Sequence, residues 1–493
     1  MIPETVSAQS VSPFSDEVDV LVVGLGMAGG CAAVEAAASG ARVLVLERAA
    51  VAGGTTAMAG GHFYLGGGTA VQEATGQHDS AAEMAKYLTA VSKEPVPELI
   101  NAYCEGSAEH LRWLEALGFE FERSYYPHKA VIQPETQGLM YTGNEQVWPY
   151  REQAVPAPRG HKVPVPGDTG GAGMVVKLLV ERLGELGAEI RYEKGISALV
   201  VDDDRVVGAT WKHFGETGAV RAKSVVLATG GFVMNREMLA QHVPRLADER
   251  VFALGSTYDD GIGIRLGQSV GAATRYLDQA FMTAPVYPPA TLLTGLIVNR
   301  NGDRFVAEDS YHARTSAFVL EQPDSVAYLV VDSRHVEMPT MPLVQLIDGW
   351  EDVAEMEAAL GIPAGRLQSS LDRYNANAAR GKDPDFHKAA TYLEPQDVGP
   401  WAAFDLSLGK AFYSGFTLGG LAISVDGEVL RDDGTAIAGL YAAGACASTI
   451  AQDAKGYSSG TQLGAGSFFG RRAGRAATRP NTSGAQHDPD SGR

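Results

Sequence analysis

Three glycines and one glutamate have the types and spacing needed to bind a dinucleotide. Gly24, Gly26 and Gly29 form the pattern G-x-G-x-x-G, and Glu47 follows the next apolar run. The first glycine permits a tight turn, the second lets a pyrophosphate approach the backbone, and the third lets helix and strand pack closely. The pyrophosphate would lie at a helix N-terminus, where free N–H groups favour anions, and Glu47 would accept hydrogen bonds from ribose hydroxyls.

The predicted elements around these residues support the same interpretation. Residues 18–23 form a β-branched run typical of a strand buried on both faces. An alanine-rich helix is predicted over 32–38, with Gly40 ending it, and a second strand over 42–46. A glycine pattern alone is a weak signal. Here it lies between two predicted strands, is followed by a predicted helix, and has an acid at the end of the second strand, and this order predicts a dinucleotide-binding βαβ unit.

Composition narrows the class of protein. The chain has 493 residues, 45% of them hydrophobic, and a net charge of −19, which suits two or three globular domains and argues against nucleic-acid or anionic-membrane partners. Cys31, Cys104 and Cys446 are scattered without a CxxC pattern, so neither a disulfide framework nor a zinc site is predicted. The histidines also lack metal-ligand spacing, and no metal is expected.

The sequence carries no pattern of a targeting or membrane-spanning segment. The N-terminus lacks a basic region followed by an apolar core, and no run of about 18 apolar residues is free of charges or heavy glycine content. We therefore expect no membrane span and a cytoplasmic location. Residues 1–15 are predicted to be a loose leader, and a disordered tail is predicted from about 478 to 493.

The rest of the chain suggests one domain interrupted by another. Residues 51–69 are too glycine-rich for regular structure and predict a loop that wraps a ligand closely, although a flexible linker is the alternative. Residues 118–172 are irregular, as in a lid or cofactor cover. Residues 285–439 mix strands and helices and are predicted to be an inserted domain. The first domain would then comprise 1–284 and 440–493.

Four separated blocks together resemble a known flavoprotein family. GLGMAGG with Glu47, GGTTAMAGG, LATGG, and GLYAAGA followed by LGAGSFFGRRAG are similar to the fumarate reductases and 3-ketosteroid dehydrogenases. The resemblance spans nearly the whole chain. It implies an α/β fold with a Rossmann-like FAD-binding domain built from both chain ends and an inserted α+β catalytic (capping) domain. The substrate would lie between the flavin ring and the inserted domain.

The resemblance also implies the cofactor-binding residues. From the pyrophosphate to the flavin they are Gly24, Gly26, Met27, Ala28, Glu47, Gly54, Thr55, Thr56, Gly60, Gly61, Thr229, Gly230, Gly444, Ala445, Leu463 and Gly464. The helix N-terminus near Leu463 would stabilise the reduced, anionic flavin. Relatives with covalently attached flavin use a histidine where Gly54 stands here, so we expect non-covalent FAD.

Departures from the family pattern indicate the substrate. Fumarate reductases bind two carboxylates with arginine and histidine, whereas the corresponding positions here hold Phe416 and Gln462. His312 stands where their arginine acid would be. Because these anion-binding residues are missing and Phe412 and Tyr413 are added, we expect an apolar, uncharged substrate.

Within the steroid-oxidising branch, one segment separates two reactions. The 1-dehydrogenases carry Tyr-Pro-Gly-Pro-Gly where this chain has Tyr-Ser-Ser-Gly-Thr at 457–461, which more closely resembles the 3-oxosteroid 4-dehydrogenases acting on 5α-reduced 3-ketosteroids. The resemblance implies Ser459, Tyr457 and Tyr311 as catalytic residues. Either Ser459, with the two tyrosines as a relay, or one of the tyrosines itself would remove a proton from C4, while flavin N5 accepts a hydride from C5.

Structural roles are the alternatives for each of these residues. Ser459 or Thr461 could cap the following helix, Tyr311 could be a packed aromatic residue, and His312 and Arg314 could be structural partners. Alternative functions are a 1-dehydrogenase, a reductase of an uncharged enone, and a non-catalytic flavin electron carrier. The electron acceptor remains unknown from the sequence.

Overall fold

The computed structural model describes residues 2–11, 13–167, 170–450 and 453–479. The strands are β1 Val6–Ser7, β2 Asp16–Val23, β3 Val43–Leu46, β4 His62–Tyr64, β5 Leu139–Met140, β6 Gly160–Lys162, β7 Glu189–Arg191, β8 Gly195–Asp202, β9 Arg205–His213, β10 Glu216–Leu227, β11 Val251–Ala253, β12 Thr274–Arg275, β13 Ala280–Thr283, β14 Leu296–Asn299, β15 Ala327–Asp332, β16 Gln345–Trp350, β17 Trp401–Asp405, β18 Tyr413–Thr417, β19 Gly420–Leu421, β20 Glu428–Leu430 and β21 Ala436–Ala442. The α-helices are α1 Met27–Ala38, α2 Ala70–Ala74, α3 Ala81–Val91, α4 Pro97–Ala116, α5 Tyr150–Gln153, α6 Gly171–Glu185, α7 Arg236–His242, α8 Ile262–Ser269, α9 His312–Leu320, α10 Val353–Leu360, α11 Arg366–Ala378 and α12 Thr461–Ala477.

The largest sheet contains the predicted βαβ unit and strands from both ends of the chain. Its nine strands follow the order β1-β8-β9-β10-β2-β3-β7, with β21 also pairing with β10 and β20 with β21. β2 runs parallel to β3 and β10, and β21 runs parallel to β10. The α/β fold is therefore confirmed. α1 begins directly after Gly26, earlier than predicted, because the glycine turn leads straight into the helix.

Close packing of α1 against α12 also joins the two chain ends. A Cβ at Gly470 would lie 2.3 Å from the Ala28 carbonyl oxygen, and one at Gly474 would lie 2.1 Å from that of Ala32. Only glycine allows the two backbones to approach so closely. The small residues of both helices therefore fix α12 beside the glycine turn.

The predicted inserted segment, 285–439, contains a separate sheet and core. Four antiparallel strands follow the order β14-β15-β17-β16, and α10 and α11 pack on them. Arg304 donates to Glu308 at 2.8 Å and to Asp383 at 3.0 Å, an ion-pair cluster inside this region. β18 instead pairs with β11 and β13, and β20 and β21 belong to the large sheet. The domain boundaries at 284 and 439 remain a prediction.

Two local predictions were wrong. The leader is not loose, because β1 pairs with β8 and a 3₁₀ helix covers Ala8–Val11. The glycine-rich loop contains a 3₁₀ helix at Gly54–Met58 and the strand β4, which pairs with β6. The sequence analysis also missed α9. The predicted tail lies outside the described residues beyond Arg479, and no helix of the described part is long and apolar enough to cross a membrane.

Candidate functional site

The turn between β2 and α1 has the backbone geometry of an anion-binding site. Gly24 has φ +99°, and a Cβ there would lie 2.3 Å from the Ala228 carbonyl oxygen. A Cβ at Gly29 would lie 1.9 Å from the Gly24 carbonyl oxygen, so the first turn of α1 presses directly on the loop. Met27 N–H donates to Thr56 Oγ1 at 3.0 Å. The N-terminus of α1 is thereby fixed at the wall of a large cavity.

Glu47, at the end of β3, holds this turn in place. Its Oε2 accepts a hydrogen bond from Leu25 N–H and its Oε1 from Ala49 N–H, both at 2.8 Å. The side chain is buried but lines the cavity. Because each carboxylate oxygen can accept more than one hydrogen bond, Glu47 can both anchor the loop and accept from a ribose hydroxyl.

The cavity has a volume of about 590 Å³ and runs from the glycine turn towards β13 and β18. Every residue predicted to bind the cofactor lines it except Gly61 and Gly464. A Cβ at Gly61 would lie 2.5 Å from Val163 Cγ2, and one at Gly464 would lie 2.5 Å from the Tyr103 hydroxyl oxygen. These two glycines therefore permit close packing behind the cavity wall.

Three polar residues of the cavity region were missed by sequence analysis. His62 lines the cavity and its Nε2 is hydrogen-bonded to Gln133 Oε1, while burial lowers the pKa of His62 to about 4. Asp259 accepts a hydrogen bond from the Thr55 hydroxyl, and burial raises its pKa. Each is a single residue far along the chain from its partner, so no local pattern could have revealed the contact.

The end of the cavity beside the glycine turn, called the FAD-binding end below, has features that fit an FAD molecule. The N-termini of α1 and α12 both reach the cavity, and both begin after a glycine, Gly26 and Gly460. A Cβ at Gly444 would lie 2.8 Å from Ala28 Cβ, so the wall there has to be backbone. Buried Thr229 Oγ1 has no hydrogen-bond partner among the described residues and could bind a ligand. Two helix N-termini and glycine walls suit an extended anionic dinucleotide.

The other end of the cavity is aromatic. Phe281 and Phe416 are stacked with ring centroids 4.7 Å apart, and the Tyr457 ring meets Phe281 edge-on at 4.9 Å. Phe412, half-exposed, lines the cavity near its opening, and Gln462 also lines it. The cavity is lined by four charged residues, Glu47, Arg48, Lys194 and Asp259. All four lie between β3 and α8 in the sequence and belong to the FAD-binding end. The aromatic end is thus suited to an uncharged, apolar molecule.

Two of the predicted catalytic side chains meet directly. The Tyr311 hydroxyl and Ser459 Oγ are 2.8 Å apart, and they come from the inserted segment and the C-terminal segment respectively. Burial raises the pKa of Tyr311 well above its ordinary value, and it also raises the pKa of Tyr457. Both tyrosines are therefore neutral at physiological pH. Tyr457 and Ser459 line the cavity, and Tyr311 lies behind Ser459.

The contacts of Ser459, Thr461, Tyr311 and Arg314 can be compared with the structural alternatives for these residues. The N-cap of α12 is Gly460, without a side-chain capping bond, so Ser459 is not the cap. Thr461 instead donates from Oγ1 to the Ser458 carbonyl oxygen at 2.8 Å. Tyr311 has a polar partner and is more than a packed ring. Arg314 contacts Tyr150 through a hydrogen bond and a ring contact, as expected of a structural partner.

His312 is a neutral histidine at the cavity wall. Its Nδ1 is 2.6 Å from Thr283 Oγ1, and its Nε2 has no hydrogen-bond partner among the described residues. Burial, assisted by the positive charge of Lys129, lowers the pKa of His312 to about 3. No cluster of three or more histidine, cysteine or acidic residues in the described ranges could hold a metal ion.

Comparisons with known proteins agree with the cofactor-binding geometry. The family model described as "FAD binding domain" matches residues 19–467. Urocanate reductase of Eggerthella lenta is 30% identical over 88% of this chain and 71% of its own. The 3-oxo-5-alpha-steroid 4-dehydrogenase of Comamonas testosteroni is 28% identical over 87% of this chain and 93% of its own.

A solved structure is similar over almost the full length. The 3-ketosteroid Δ4-(5α)-dehydrogenase of Rhodococcus jostii RHA1, in complex with 4-androstene-3,17-dione, is 41% identical, with a TM-score of 0.91. The match covers 97% of this chain and all of that one. The chain therefore belongs to the FAD binding domain family and is an FAD-dependent oxidoreductase.

Proposed function

We propose that this enzyme desaturates a 3-ketosteroid between C4 and C5, giving a 4-ene-3-ketosteroid. The observation that carries the proposal is the 2.8 Å contact between the Tyr311 hydroxyl and Ser459 Oγ beside the aromatic end of the cavity. Two similar proteins named above oxidise 3-oxosteroids at this bond, and one of them was solved with such a steroid. Phe416 and Gln462 stand at the positions where fumarate reductases carry carboxylate-binding residues. Neither side chain is charged, in agreement with an uncharged substrate.

When bound, FAD supplies the hydride acceptor, flavin N5. The protein must supply a group that removes a proton from C4 and a donor that polarises the C3 ketone. Ser459 Oγ accepts the C4 proton as its own hydroxyl proton passes to the Tyr311 oxygen. The Tyr311 hydroxyl proton passes to water, so that both hydroxyls are restored and one proton is lost to solvent. Because burial keeps Tyr311 neutral, the pair acts as a relay and not as a standing tyrosinate.

Tyr457 is the proposed donor to the C3 ketone. Its ring is held edge-on by Phe281 and Phe416, and burial keeps its hydroxyl protonated. A neutral tyrosine hydroxyl donates one hydrogen bond, and this bond becomes stronger as enolate charge develops on the ketone oxygen. α12 begins at Thr461, four residues further on, and its N-terminus favours negative charge nearby.

The proposal is tested by incubating the purified enzyme with a dye acceptor and a panel of compounds. A 5α-reduced 3-ketosteroid should yield the 4-ene, and succinate should not react. Conversion of a 4-ene to a 1,4-diene would instead establish a 1-dehydrogenase. Reduction of an uncharged enone with a reduced dye would establish a reductase, and flavin cycling without steroid conversion would establish an electron carrier.

A further inference from the structure

Asn144 is hydrogen-bonded to the two chain segments that carry Tyr311 and Ser459. It lies in the segment 141–147, which sequence analysis described only as part of an irregular cover. Its side chain is fully buried. Oδ1 accepts a hydrogen bond from Tyr311 N–H at 2.9 Å, and Nδ2 donates to the Lys455 carbonyl oxygen at 3.2 Å. One amide therefore spans the inserted segment and the C-terminal segment.

The backbone next to Asn144 holds the same two segments. Ser459 N–H donates to the Thr142 carbonyl oxygen at 2.8 Å, two residues before Asn144. A Cβ on Gly143 would lie 2.1 Å from Ser458 Oγ, so only glycine allows this approach. The backbone of segment 141–147 therefore holds Ser459, and the Asn144 side chain holds Tyr311.

The position of Asn144 is itself fixed from behind. Its N–H donates to the Tyr87 hydroxyl oxygen at 2.8 Å. Glu145, the next residue, accepts hydrogen bonds from the Tyr64 hydroxyl at 2.8 Å and from Gly143 N–H at 3.1 Å. Tyr64, Tyr87 and Glu145 are all buried. The segment is thus attached to Tyr64 and Tyr87, which lie in the predicted FAD-binding part of the chain.

We infer that Asn144 is a positioning residue that sets the distance between the Tyr311 hydroxyl and Ser459 Oγ. The inference rests on the proposed function, in which these two hydroxyls form the proton relay. Tyr311 is the N-cap residue of α9, and its N–H bond to Asn144 fixes where that helix begins. A relay requires heavy atoms within hydrogen-bond reach, and a displacement of about 1 Å can cost about a hundredfold in rate.

The test compares Asn144→Leu with Asn377→Leu. Asn377 is also buried and hydrogen-bonded, but on α11 inside the inserted region and away from the cavity. Asn144→Leu keeps the side-chain size and removes both amide bonds. We expect kcat to fall about tenfold to a hundredfold with FAD content retained and KM little changed. Amide hydrogen exchange at Tyr311 should become faster. Asn377→Leu should change neither kcat nor exchange at Tyr311.

Asn144→Asp is the conservative variant, because it keeps an oxygen that can accept from Tyr311 N–H. It should keep slow exchange at Tyr311 and lose less kcat than Asn144→Leu, and it provides the test if the leucine variant does not fold. Wild-type kcat in Asn144→Leu, or an equal loss in Asn377→Leu, would overturn the inference. If the wild type does not oxidise ketosteroids, the proposed function fails, whereas the exchange at Tyr311 still shows whether Asn144 fixes α9.

Discussion

Ser459→Ala should separate catalysis from stability. The substitution removes one hydroxyl, which contacts the Tyr311 hydroxyl at 2.8 Å, and leaves the Ser459 N–H bond to Thr142 intact. Loss of a positioned proton-transfer group typically costs a factor of about 100 to 10,000, equivalent to about 3–5 kcal/mol of activation free energy. Loss of one buried hydrogen bond costs about 1 kcal/mol of folding stability. We therefore expect kcat to fall by that factor while FAD content and thermal stability are nearly retained.

The assay is single-turnover reduction of the bound flavin by a 5α-3-ketosteroid, combined with thermal unfolding. Ser467→Ala is the matched control, because Ser467 is a buried, hydrogen-bonded serine on α12 outside the cavity lining. Tyr311→Phe should resemble Ser459→Ala, and the double variant should cost little more than the worse single variant. Turnover by Ser459→Ala equal to that of the wild type would refute the relay.

Three further predictions concern the cofactor and pH. Acid precipitation should release FAD into the supernatant, because Gly54 stands where relatives with covalently attached flavin have a histidine. Flavin in the pellet would show a covalent bond, and His62, which lines the cavity, would be the first residue to test. Gly24→Ala should abolish FAD binding, measured by absorbance, because its Cβ would lie 2.3 Å from the Ala228 oxygen at φ +99°; full FAD content would contradict this. Burial lowers the pKa of His62 to about 4 and of His312 to about 3, so the unfolded chain binds protons first as pH falls below the ordinary histidine value. The contribution of these two histidines to stability should therefore be constant above about pH 6.5. It should decline towards pH 4 by at most about 1.4 kcal/mol per pH unit for each histidine, and His312→Asn should reduce that slope.

Sequence reasoning was most successful where local pattern determines structure. The βαβ unit could be predicted because β2, α1 and β3 have a continuous apolar run, a glycine turn and small helical residues within one short stretch. The Arg304–Glu308 ion pair, at 2.8 Å, likewise joins side chains only four residues apart on one segment. The helix N-terminus expected near Leu463 is present, and α12 begins two residues earlier, at Thr461.

Long-range contacts could not be predicted from the sequence. The Asn144 bonds reach Tyr311 and Lys455, 167 and 311 residues away, and nothing in the local pattern identifies either partner. The glycine-rich loop gained β4 because β6, about one hundred residues later, supplies its hydrogen bonds. The Tyr311–Ser459 contact was anticipated only through family resemblance, and the structure adds the distance and the buried, neutral state of Tyr311.

The most direct test of the proposed reaction is anaerobic mixing of the holoenzyme with 5α-androstane-3,17-dione carrying deuterium at C5. The proposal predicts bleaching of the flavin absorption, slowed by the deuterium, with 4-androstene-3,17-dione as the product and the C4 proton lost to solvent. An unbleached flavin, or bleaching at the same rate with deuterated and ordinary steroid and a double bond at C1, would contradict it.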